Sequence, residues 1–160
     1  MTLAEITINI YVPSVPVAKP RDRAVRFGTS ARVHPVTHIK TADGTRKRHP
    51  ITSFMATVRM AAKDNYSGPP LEGPVRVDCL WLLPRPQRLI WKKRKMPRLP
   101  HSKKPDRDNL DKSVLDALNG LIWRDDAQVY DGRLTKMYAA GDEQPHVEIT
   151  VTQLKDADDA

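Results

Sequence analysis

Ile6, Ile8, Ile10 and Val12 alternate with polar neighbours, which predicts a strand buried on one face. From 13 to 50 no period survives. Pro, Gly, Ser and Thr are interspersed there with Lys19, Arg21, Arg23, Arg26, Arg32, Lys40, Arg46, Lys47 and Arg48, a long functional or mobile loop with a short hairpin at Asp43-Gly44. Helical spacing then takes over: Phe54, Met55, Val58, Ala61 and Ala62 share one side of a helix expected over 52–66, with Thr52 or Ser53 as its cap. Ser67-Gly68-Pro69-Pro70 stops it, and Val75, Val77, Cys79 and Trp81 restore the two-residue period of a second strand. A stretch at 84–104 is broken by Pro84, Pro86, Pro97 and Pro100, with a brief helix expected at 89–96. Leu110, Val114, Ala117, Leu118 and Leu121 form the narrow apolar stripe of another helix, capped by Asp108 and ended at Gly120. A strand over 129–137 with a bulge at Gly132, a turn at 141–145, and the alternation of Val147, Ile149 and Val151 complete the pattern.

Strand, helix, strand, helix, strand, strand fits an α+β fold in which two main helices cover one face of a small mixed β-sheet. At 160 residues the chain has room for one core, expected over 1–154, with long basic loops at 13–50 and 84–104 and an acidic, disordered tail at 155–160. The single cysteine, Cys79, excludes an internal disulfide and a Cys-based zinc site, and its place in a strand makes it a small buried hydrophobe. The N-terminus has no basic leader and no long apolar run follows, so a cytoplasmic protein with no membrane span is expected. None of His34, His38, His49, His101 or His146 falls at metal spacing, and each reads as a surface or loop residue.

Charge changes the picture. The formal net charge is +8 and the isoelectric point about 9.8, which suits a polyanionic partner. Residues 85–104 hold nine Lys and Arg and no acidic residue, and they run straight into Asp106. Cations in that position hold a phosphate backbone against carboxylates that would otherwise repel it. Trp91, inside the same run, has two open roles: stacking on an unpaired base, or packing against the domain.

Carboxylates supply the candidate chemistry. Asp106 and Asp108 stand two apart at a helix entry, and Asp125 and Asp126 follow the same helix beside the large apolar anchor Trp123. A turn after Gly120 would bring the second pair back to the helix flank, where the oxygens suit a hard divalent ion such as Mg²⁺. Grouped carboxylates raise one another's pKa, and a cation relieves that penalty. The opposing reading is structural: one capping Asp, and surface pairs among Asp108, Lys112 and Asp116 at four-residue spacing. Spacing does not choose between Asp125 and Asp126.

The run Asp106-Arg107-Asp108-Asn109-Leu110, with Lys112, Asp116-Ala117-Leu118 and Trp123-Arg124-Asp125-Asp126-Ala127-Gln128-Val129, closely resembles the signature of the RusA family of crossover junction endodeoxyribonucleases, the Holliday junction resolvases. Arg133, Lys136 and Met137 resemble the family's next strand. The resemblance implies a homodimeric nuclease that uses Mg²⁺, with Mn²⁺ as a substitute, and resolves four-way DNA junctions in recombination and repair. It matches Asp106, Asp108 and Asp126 to the three essential, metal-holding acidic positions and Lys112 to an important lysine. Lys92, Lys93, Arg94, Lys95, Lys103, Lys104 and Arg107 are the candidate DNA contacts. Two other readings stay open: a non-catalytic DNA-binding or architectural protein, and a metal-dependent nuclease for other branched DNA.

Overall fold

A computed structural model describes residues 5–154; the acidic 155–160 tail expected from sequence lies outside the described residues. The strands are β1 (Glu5–Val12), β2 (Arg23–Phe27), β3 (Ser30–His34), β4 (His38–Lys40), β5 (Arg46–Arg48), β6 (Val75–Leu83), β7 (Leu99–Pro100), β8 (Val129–Asp131), β9 (Leu134–Tyr138) and β10 (His146–Leu154). Helix α1 spans Pro50–Asn65 and α2 spans Arg107–Leu118. The main sheet runs β1-β10-β6-β9-β7, with β8 also paired to β6. β6 lies antiparallel to β10 but parallel to β8 and β9, so the sheet is mixed. The α+β expectation holds.

The two-residue period does the sorting. Ile8, Ile10 and Val12 of β1, Val75, Val77, Cys79 and Trp81 of β6, and Val147, Ile149 and Val151 of β10 are all buried. Against them pack Phe54, Val58, Ala61 and Ala62 of α1 and Leu110, Val114, Ala117 and Leu118 of α2, the stripes that helical spacing predicts. Each buried aliphatic side chain contributes roughly 1.5–3 kcal/mol relative to exposure, so these two stripes dominate the helices' placement. Arg59 Nε reaches from α1 to the Ala117 carbonyl at 2.9 Å and ties the helices together. Burial drives the Cys79 thiol well above its usual pKa, as suits an inert core position.

Several sequence expectations need correction. α1 begins two residues early: His49 is its cap, accepting the Ile51 N–H on Nδ1 at 3.1 Å, and Pro50 opens the first turn, where no N–H is needed. His146, expected at the surface, is buried and hydrogen-bonds Glu148 through Nε2 at 2.9 Å. In place of a helix at 89–96 there is a single 3-10 turn, Gln87–Leu89, because Arg85 gathers the carbonyls of Ala139, Leu89 and Pro97 into an irregular fold. The strand expected over 129–137 is divided into β8 and β9. Gly132 lies at the break, where any Cβ would fall 2.0 Å from the Val77 carbonyl oxygen. The 13–50 loop contains the hairpin expected at Asp43-Gly44, now β4–β5, and a second one, β2–β3, that the sequence pattern did not announce. Among the described residues no helix is long and apolar enough to cross a membrane.

Candidate active site

The start of α2 is fixed by its apolar stripe. Leu110 is fully buried and its N–H bonds the Asp106 carbonyl at 3.2 Å, so the helix begins one turn before Leu110 and the cap is Asp106, not Asp108. Asp106 makes no side-chain cap bond, and Asp108 stands exposed in the first turn, so neither carboxylate is consumed by the helix. Both lie at the positive end of the helix dipole. The entry is tied to the sheet. Lys136 of β9 donates to the carbonyls of Lys103 and Pro105, each at 2.7 Å, and Arg107 reaches the Leu134 carbonyl at 3.4 Å.

The second acidic pair comes back through a tight turn. Gly120 adopts φ +74, and the Leu121 and Ile122 N–H groups both bond the Leu118 carbonyl at 3.0 Å. Asp125 and Asp126 then part in role. Asp125 caps the 3-10 turn Asp126–Gln128, accepting the Ala127 N–H at 2.8 Å, while Gln128 Oε1 accepts the Asp125 N–H at 2.9 Å. Asp126 takes no part in that cap. Its Oδ1 accepts the indole N–H of Trp123 at 2.8 Å, and Trp123 is fully buried, so the core aims this carboxylate.

Sequence reasoning missed Asp111. It follows Asp108 by three residues, on the same helix face, and is half-buried. Burial raises its carboxyl pKa; the Arg107 charge pulls it down and the nearby Asp126 carboxylate pushes it up again. Asp126 thus returns within electrostatic range of α2. An acid three residues after the cap pair was the available signal, but its burial is not legible without the fold. Among the described residues no three Asp, Glu, His or Cys side chains are gathered tightly enough to cage an ion. The donors are nonetheless chemically suited to a hard cation: Asp106, Asp108 and Asp126 offer carboxylate oxygens alone, and the first two are exposed and free to turn.

The cations of the loop before α2 and of the helix itself divide into two kinds. Lys92, Lys93, Arg94, Lys95, Lys103, Lys104, Arg107 and Lys112 are exposed. Arg85 is occupied by backbone carbonyls and Arg98 by Glu143 and Glu148, so these two brace the loop. Trp91 is half-buried, with the Arg94 guanidinium 3.7 Å and that of Arg85 5.3 Å from its ring centre. That is a packing role, in which the indole organises arginines. Asp116 pairs with Lys19 in place of Lys112, which leaves Lys112 without an ion pair among the described residues.

Acidic side chains at a helix entry, preceded in the chain by a loop of exposed cations without ion pairs among the described residues, suit a polyanionic partner. The family model described as Endodeoxyribonuclease RusA matches residues 13–152, and the chain belongs to the RusA endodeoxyribonuclease family. It is therefore a nuclease by family. It is also similar to the "Uncharacterized protein YqaN" of Bacillus subtilis (strain 168), 34% identical over 153 residues that cover 92% of this chain and 96% of that one.

Proposed function

We propose that this protein is a divalent-metal-dependent endonuclease that resolves four-way DNA junctions by paired phosphodiester hydrolysis, working as a homodimer in the cytoplasm. The observation that carries the reading is that Asp126, held by the buried Trp123 indole, comes within electrostatic range of Asp111 on the helix that Asp106 and Asp108 begin, in a chain of the RusA family. Asp106, Asp108 and Asp126 are the proposed holders of the cation, Mg²⁺ or Mn²⁺. When bound, it supplies Lewis-acid chemistry at the scissile phosphate.

The chain's own residues do the rest. Trp123 keeps one Asp126 oxygen engaged and the other available. Lys112, one turn beyond Asp108 and unpaired, is placed to donate to phosphate oxygens as negative charge gathers there. Lys136 fixes the height of the helix entry by holding two carbonyls of the run that precedes it. The exposed cations at 92–95, with Lys103, Lys104 and Arg107, neutralise backbone phosphates that the carboxylates would repel. A four-way junction has approximate two-fold symmetry, and a C2 dimer presents two equivalent centres for two matched cuts.

Asp108→Asn tests the reading on synthetic junctions with Mg²⁺ or Mn²⁺. The substitution keeps size and removes charge, so junction binding should persist or tighten while paired incision is lost. Wild-type cleavage by this variant would remove Asp108 from the metal site. Cleavage of flaps or single strands in preference to junctions by the unaltered protein would move the substrate to other branched DNA. Junction binding without incision under any divalent metal would leave a non-catalytic DNA-binding protein.

A further inference from the structure

The two hairpins inserted between β1 and α1 carry a charge pattern that the fold itself does not require. Residues 20–49 hold eight Lys and Arg against Asp22 and Asp43 alone, a local net charge of +6. Asp43 is occupied within its own turn: its Oδ1 accepts from the Thr41 hydroxyl, the Thr45 N–H at 3.0 Å and the Thr45 hydroxyl at 2.8 Å, which together hold its carboxyl pKa down at about 2. None of the eight cations makes an ion pair among the described residues.

Register makes the pattern sharper. In the β4–β5 hairpin, Lys40 is directly opposite Arg46 and His38 opposite Arg48, so one face of the ribbon carries like-signed or titratable groups across from one another. Lys47, opposite Ile39, faces the other way. In β2–β3, Arg23 is opposite His34 and Val25 opposite Arg32, which puts Arg23 and Arg32 on one face, while Arg26, opposite Ala31, faces the other way. All these residues are exposed. Facing like charges destabilise a strand pair, and a two-stranded ribbon is marginal to begin with. An anion bound along that face reverses the sign of the effect.

The hairpins are also anchored beside the candidate active site. The Lys19 N–H bonds the Asn109 carbonyl at 2.9 Å, next to Asp108, and the Lys19 ammonium pairs with Asp116 further along α2. At the other end the His49 N–H bonds the Thr37 carbonyl at 2.8 Å, while its ring caps α1. The insertion therefore leaves and rejoins the core at the two helices.

We propose that these paired ribbons form a second DNA-binding surface, gripping a duplex arm of the substrate as it leaves the cleavage centre. The proposal rests on the nuclease reading above. Two strands lie about 4.8 Å apart, and the B-form major groove, roughly 12 Å wide, admits such a ribbon. The deep, narrow major groove of A-form RNA does not, so the fit is to duplex DNA.

The test is Arg46→Gln/Lys47→Gln/Arg48→Gln, with Arg46→Lys/Arg48→Lys as the charge-preserving partner. Binding to a labelled DNA duplex and to a four-way junction is followed by anisotropy over a range of KCl. Every phosphate that a cation no longer neutralises lowers the slope of log K against log[KCl] by about 0.9, so the glutamine variant should lose roughly two to three units of slope on DNA while the lysine variant keeps them. Duplex RNA of the same sequence should show no slope that depends on the ribbon. An unchanged slope in the glutamine variant, an equal loss in the lysine variant, or the same ribbon-dependent slope on RNA would each overturn the proposal. Absence of salt-dependent DNA binding by the unaltered protein would instead remove the nuclease reading, and this surface with it.

Discussion

Trp123→Phe isolates the hydrogen bond that distinguishes Asp126 from Asp125. The indole is fully buried, and its N–H donates to Asp126 Oδ1 at 2.8 Å. Phenylalanine keeps most of the apolar volume and has no donor. A hydrogen bond to a charged group contributes about 1.5–3 kcal/mol, and because Asp126 is only half-buried it regains water in the variant, so the lower end applies. The smaller ring adds roughly 1 kcal/mol for the space it leaves. A loss of about 2.5 kcal/mol lowers the melting temperature of a chain this size by roughly 5–10 °C. The backbone bridges from Trp123 to Leu71 and Asn119 do not depend on the indole, so the fold survives. The freed carboxylate must then be ordered whenever a cation binds. Fixing a short side chain costs roughly 0.5–1 kcal/mol, a two- to fivefold rise in the Mg²⁺ concentration for half-maximal junction cleavage. Asp126→Asn separates the two effects: its amide oxygen still accepts the indole N–H, so it should melt within a few degrees of wild type yet cleave no DNA. A Trp123→Phe protein with wild-type melting and wild-type Mg²⁺ dependence would refute the claim that this bond holds and aims Asp126.

Three further outcomes follow from other parts of the molecule. Replacing the four cations at 92–95 with glutamine should lower the salt slope of junction binding by roughly three to four units, read by anisotropy; an unaltered slope would assign that run to solvent. Asp111 has a raised folded-state pKa, from burial first, so the stability it contributes is fully present below the unfolded value of 3.8 and is lost as pH rises through the folded one. Asp111→Asn should therefore melt above wild type at neutral pH, with the gap closing in acid, and a gap that widened on acidification would reverse the assignment. Gly132→Ala forces a Cβ to within 2.0 Å of the Val77 carbonyl oxygen, so β8, β9 or both must shift, and the urea midpoint should fall by the equivalent of about 2 kcal/mol or more.

What could be read from the chain was what burial writes into it. The alternations at Ile8, Ile10 and Val12, at Val75, Val77 and Cys79, and at Val147, Ile149 and Val151 gave three of the main strands, because a half-buried sheet leaves one face apolar. The two helical stripes were equally plain. The β4–β5 hairpin was legible from turn chemistry at Asp43-Gly44, whereas β2–β3 was not, since Val25 and Val33 are exposed and carry no buried-face signal. The α2 cap was misassigned because Asp106 and Asp108 have the same intrinsic preference, and only the need to bury Leu110 decides between them. Asp125 and Asp126 are indistinguishable in sequence for a similar reason: what separates them is the direction of a buried indole.

Charged residues obey no period of their own, so their roles stay hidden until the apolar residues set their directions. On α2 the burial of Leu110, Val114, Ala117 and Leu118 leaves the helix a single rotational setting. That setting turns Asp116 to its partner Lys19 and leaves Asp111 half-buried within electrostatic range of Asp126, although nothing in the acidic residues specifies either neighbour. One residue of helix is about 100° of rotation, so a core shifted by one position would carry both carboxylates away from their neighbours while leaving composition and charge unchanged. The family match over residues 13–152 and the apolar stripe therefore bear on different questions. The first says what class of reaction the chain performs, and the second determines which of its acids can stand near one another to perform it.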